Sequence, residues 1–175
     1  MRNAFLTLLI AALVSACAGP HAADPEPLER PSPIRGDAEG DTAEADRCRT
    51  NFYAEPHTGS RDVDEAREMA RMTDGVLLRA ERSRGEEREA AVFEAMEQLV
   101  AALERDPYGP EPTYKLAVAY ALVDRKACSL RLLERIAELT AMSEVEAEAG
   151  RIIQRAKRDM TFDAFREEAD AALSP

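Results

Sequence analysis

Between Asp62 and Leu173 apolar residues recur at three- and four-residue intervals, in runs that are repeatedly cut short. No convincing alternating run appears, so the period is that of a helix and not of a strand. Asp62 with Glu65 three residues on forms a capping box. Val63, Ala66, Met69, Ala70, Val76, Leu77 and Ala80 then follow at helical spacing, with Gly75 weakening the run locally. Ser83-Arg84-Gly85 ends it. A second helix, about 86–105, carries Val92, Met96, Leu99 and Leu103 on one face, and Asp106-Pro107-Tyr108-Gly109-Pro110 stops it. A third, about 111–123, has Pro112 in its first turn and carries Leu116, Ala117, Tyr120 and Val123. A fourth, about 126–140, presents Leu130, Leu133 and Ala137. A fifth, about 144–158, presents Val145, Ala149, Ile152, Ile153 and Ala156. The last, about 162–173, is led by Phe162 and Phe165 and closed by Leu173. The predicted class is all-α, built from short antiparallel helices joined by short turns.

Composition agrees with this class and excludes others. Aromatics are 5% of the 175 residues and Trp is absent, which argues against a barrel or sandwich. Apolar residues at 45% suffice for a core. A net charge of −11 opposes nucleic acid and anionic lipid surfaces, since each phosphate contact needs a Lys or Arg. The arginines far outnumber the lysines, which reads as base composition and not as phosphate recognition.

The N-terminus reads as an address. Residues 1–16 carry one charge, Arg2, followed by an apolar run from Ala4 to Val14. The run is shorter than the roughly 20 residues a spanning helix needs. A basic start, an apolar middle and small residues at the end are a secretory signal. Val14-Ser15-Ala16-Cys17 resembles the lipobox of bacterial lipoproteins. The resemblance implies cleavage before Cys17, acylation of its thiol and then of the new amino terminus. Several acyl chains anchor a protein firmly. By the same resemblance Ala18, in place of Asp, implies sorting to the outer membrane; the expected location is the cell envelope, on the periplasmic side of that membrane.

Residues 17–44 then form the lipidated end and a tether. Five of the ten prolines lie here (Pro20, Pro25, Pro27, Pro31, Pro33), with Leu28 and Ile34 as the only large apolar residues. Seven acids against two arginines add self-repulsion. Such a coil spans roughly 30 Å. Residues 45–175 are the folding body.

Within the body, the stretch from Ala95 to Leu133 resembles the tetratricopeptide repeat. Ala95 and Leu99 fall at the small and large positions of a second helix, closed by Ala102-Leu103 and Asp106-Pro107. Leu116-Ala117 and Tyr120 then match a first helix, Asp124 its turn, and Ser129 and Leu133 the next small and large positions. The flanks depart from the pattern: Arg79 and Arg82 stand where apolar residues belong, and Gly150 takes a leucine position. The resemblance implies stacked antiparallel hairpins with a C-terminal capping helix. It also implies a concave protein-binding surface lined by Glu111, Tyr114, Val118 and Ala121. The alternative is that Tyr114 and Val118 pack against a neighbouring helix.

After Cys17 two thiols remain, Cys48 and Cys128. In an oxidising envelope such a pair invites a disulfide, worth roughly 4.5 kcal/mol for a loop of this size; the alternative is two buried free thiols. His21 and His57 are far apart, without ligand spacing, so no metal or other cofactor is expected. The acids, Glu86, Glu87 and Glu89 or Glu144, Glu146 and Glu148, sit where helices begin and favour the dipole. No catalytic motif stands out. The expected function is a lipid-anchored envelope protein acting as an interaction adaptor or accessory subunit, binding a protein or peptide. The alternatives are a purely structural subunit without a free groove, and an envelope enzyme domain.

Overall fold

The computed structural model describes residues 48, 49 and 60–174. The leader, Cys17, the tether and the boundary at 44–45 lie outside the described residues. Among those described the protein is helical, with no strand. In chain order the elements are α1 (Val63–Met72), α2 (Asp74–Arg82), α3 (Glu86–Arg105), α4 (Pro110–Leu122), α5 (Lys126–Leu139) and α6 (Glu146–Ala156). A 3-10 turn (Met160–Phe165) then leads into α7 (Arg166–Ala172).

Local chemistry sets most of the ends. The Asp62 carboxylate accepts the Glu65 amide at 3.0 Å and caps α1. Gly85 enters α3 with a φ of 57°, which a residue with a Cβ adopts only under strain. Pro110 and Pro112 occupy the first turn of α4, where a missing amide costs no helical bond. Asp159 accepts the Thr161 amide at 2.9 Å and starts the 3-10 turn.

Three boundaries differ from the sequence expectation. The first predicted helix is two, broken at Thr73, whose hydroxyl donates to the Ala70 carbonyl at 2.7 Å. A β-branched hydroxyl that bonds back to the preceding turn competes with the helix ladder. The fifth helix starts at Glu146 and not near 144, because residues 142–145 close tighter turns and Glu144 pairs with Arg61 at 2.7 Å. The last helix is 3-10 through Phe165 and α only from Arg166.

Packing follows chain order. Helices α1 and α2 lie on α3, α3 on α4, and α4 on α5; α6 covers both α4 and α5, and α7 rests on α5 and the 3-10 turn. The Asp62 amide donates to the Arg105 carbonyl at 3.0 Å, placing the start of α1 beside the end of α3. Leu99, Leu103, Leu116, Tyr120, Leu132, Leu133, Ile136 and Phe162 are fully buried. Ala70, Ala80, Ala95, Ala117 and Ala149 are buried among them, and their small size lets the helices approach closely. Cys48 Sγ and Cys128 Sγ are bonded at 2.00 Å, joining the start of the body to α5. The Tyr120 hydroxyl donates to the Cys48 carbonyl at 2.5 Å on the same side.

Candidate functional site

Helix α4 is buried on almost every side, from Pro110 to Ala121. Its sequence contains one cation, Lys115, which is 2% exposed. An ammonium so placed must be paired. Its Nζ donates to the Ala70 carbonyl at 2.7 Å and pairs with Asp74 at 2.5 Å and Glu111 at 3.4 Å. Ala70 lies in the last turn of α1, which ends at Met72, where carbonyls lack ladder partners and can accept from a donor elsewhere in the chain. The Glu111 carboxylate also accepts from Arg155 of α6 at 3.0 Å. The Arg155 guanidinium lies 4.8 Å from the Tyr114 ring centroid, within cation–π range. The Tyr114 hydroxyl donates to the Asp159 carboxylate, and its ring meets Phe162 edge-on at 6.4 Å. Burial, and then the bond to Asp159, push the Tyr114 phenol well above its ordinary range. This polar seam links α2, α4 and the end of α6.

The groove expected from Glu111, Tyr114, Val118 and Ala121 is therefore not an open one. Tyr114 is 3% exposed, Val118 5% and Ala121 9%, and the Glu111 side chain is mostly covered. Tyr114 packs under Arg155, Asp159 and Phe162, so the alternative of packing against a neighbour describes it. The structure brings Glu111 and Tyr114 together through Arg155, while Val118 and Ala121 belong to the core. A sequence signal for this existed. The run Leu116-Ala117-Val118-Ala119-Tyr120-Ala121-Leu122 is apolar all round, and a helix of that kind is buried.

Two further concavities are present among the described residues, one bordering the seam at Glu111 and one away from it. A small cleft of about 130 Å³ is held by Arg61, which grips Asp106 with two bonds (2.7 and 3.2 Å) and Glu144 with a third. The hydrogen bond that Arg61 donates to the Asp106 carboxylate holds its pKa above the usual value. Its guanidinium and that of Arg135 lie 5.3 and 5.6 Å from the Tyr108 ring centroid. These contacts fasten three segments together and leave little room.

The larger concavity is an open groove of about 790 Å³ between α5 and α7. Its lining is Leu130, Ala137, Ala141, Ala171 and Ala172 with the polar Thr140 and Ser174, edged by Glu134, Glu138 and Glu168. These glutamates carry no sequence motif of their own. The signal lay in Glu134 and Glu138, one helical turn apart beside Leu130, Ala137 and Ala141. No protein-family model, curated protein or solved structure matches the chain.

Proposed function

We propose that the chain is a lipid-anchored cell-envelope protein whose body acts as a protein–protein interaction adaptor or accessory subunit of an envelope assembly. In this reading the body is a short tetratricopeptide-like array of antiparallel hairpins, α1–α2 with α3 and α4 with α5, followed by α6 and a capping α7. One observation carries it: the positions at which such a repeat needs closely crossing helices, Ala95, Leu99, Leu103, Leu116, Ala117, Tyr120, Ser129 and Leu133, are all fully buried. Small residues at the crossings and large ones filling them are how stacked hairpins form a continuous core. The address rests on Val14-Ser15-Ala16-Cys17 behind the apolar run. The Cys48–Cys128 bond supports an oxidising compartment, since such bonds persist outside the reducing cytosol.

A second reading is a purely structural subunit. The burial of Tyr114, Val118 and Ala121 favours it, because the face a repeat protein commonly offers to peptides is occupied here by the chain's own C-terminal third.

The anchor and the role are tested together in the native envelope. Fatty-acid labelling should mark the protein and vanish in Cys17→Ser, which should accumulate with its leader uncleaved. Labelling that survives the substitution would remove the lipoprotein reading. Pulldown from detergent-solubilised envelope should give several substoichiometric partners for an adaptor. One stoichiometric partner would favour the structural subunit, and none would sink both.

A further inference from the structure

The groove between α5 and α7 combines three properties. It is roomy, at about 790 Å³. Its floor is built mostly of small side chains, four alanines with Thr140 and Ser174, and Leu130 is the one large apolar residue. Its only charges are Glu134, Glu138 and Glu168, with no Lys or Arg among the lining residues. Glu134 makes no ion pair or hydrogen bond among the described residues. Glu138 pairs with Arg135 at 3.0 Å and Glu168 with Lys126 at 2.6 Å, each glutamate more than half exposed. Every feature so far explains how the helices hold one another; this one is left facing outward.

We propose that this groove docks a cationic amphipathic helix of a partner protein. Charge selects the sign through Glu134 above all, since Arg135 and Lys126 already hold Glu138 and Glu168: a Lys or Arg on the partner's flank would meet the Glu134 carboxylate, and a like charge would be repelled. The small floor selects the shape, because alanines let an apolar helix ridge approach two packed helices closely. A helix brings its own backbone hydrogen bonds. An extended strand would find no sheet edge among the described residues to complete its own. The chain's own tether is the wrong occupant, with seven acids against two arginines in residues 18–44. A second copy docking through the same groove would set glutamates against glutamates.

The proposal deepens the adaptor reading and rests on it. The probe is a helical peptide with Leu on one face and Lys on the other, alongside its Leu/Glu counterpart. Binding to the full, detergent-solubilised chain is read by fluorescence anisotropy. The Leu/Lys peptide should bind and the Leu/Glu peptide should not. Reversing the rim with Glu134→Lys and Glu138→Lys, both exposed positions, should weaken binding roughly tenfold or more. The same charge change on α3, Glu97→Lys with Glu104→Lys, should leave it unaltered. Ala171→Trp, which fills the groove, should weaken binding at low and high salt alike. Absence of binding, equal binding of both peptides, or equal loss in the two double variants would each overturn the groove. The pulldown separates the two readings. If wild type and the rim variant retain the same envelope partners, the groove is wrong and the adaptor stands. If wild type retains none, the adaptor reading itself has failed.

Discussion

The carbonyl of Ala70 accepts three donors: the Thr73 amide at 3.3 Å, its hydroxyl at 2.7 Å and the Lys115 ammonium at 2.7 Å. One oxygen thus closes the end of a helix and satisfies a buried cation. The tyrosines show the same dependence on surroundings. Burial pushes the Tyr120 phenol up to about 12 from an ordinary 10.0, and Tyr114 is raised further. The neutral phenol is the form the fold favours. Stability from these groups is complete below pH 10.0, where the unfolded chain also holds its protons. It is lost as pH rises toward 12, because the unfolded state ionises first. The urea midpoint should therefore fall between pH 10 and 12, and fall less in Tyr114→Phe with Tyr120→Phe. Equal slopes in wild type and double variant would contradict this account.

Among the elements, two glycines sit in opposite situations. Gly85 holds a φ of 57° ahead of α3, so Gly85→Ala should destabilise by about 1 kcal/mol or more. Gly150 lies within α6 with nothing within 4 Å of a built Cβ. There the flexible residue only costs entropy, and Gly150→Ala should stabilise by about 0.5–1 kcal/mol. Thermal melts of the two variants should move in opposite directions; a shared direction would mean that the local backbone does not decide stability at these two positions. Helix existence and stops were legible at this scale because caps, prolines and glycines act on their immediate neighbours. The break at Thr73 was not, since a threonine hydroxyl bonds back to the helix only weakly and here Lys115, 42 residues on, reinforces the arrangement. The late start of α6 depended likewise on Arg61, which reaches Glu144 from across the chain.

At the scale of the whole molecule the disulfide is the covalent constraint among the described residues. It closes a loop of 80 residues from Cys48 to α5, removing disorder chiefly from the unfolded chain. Reduction should lower the unfolding free energy by up to about 4.5 kcal/mol. Urea titrations with and without reductant check this, and coincident midpoints would contradict it. The buried Tyr120 hydroxyl shares the anchorage through the Cys48 carbonyl, so reduction should also shorten hydrogen-exchange protection at the end of α4.

By itself the sequence determined the all-helical class, most stops, the acidic character and which faces are apolar, because each depends on spacing, composition or the nearest few residues. Only the tertiary structure decided what covers each face. Tyr114 reads alone as an anchor for a partner, and becomes an internal contact once Arg155, Asp159 and Phe162 arrive from residues 41–48 further along. Glu134, Glu138 and Glu168 read as solvated acids, and become the rim of one groove only when α7 lies against α5. The reason is physical: burial of apolar surface has no direction, so a pattern states that a face must be covered without stating by what.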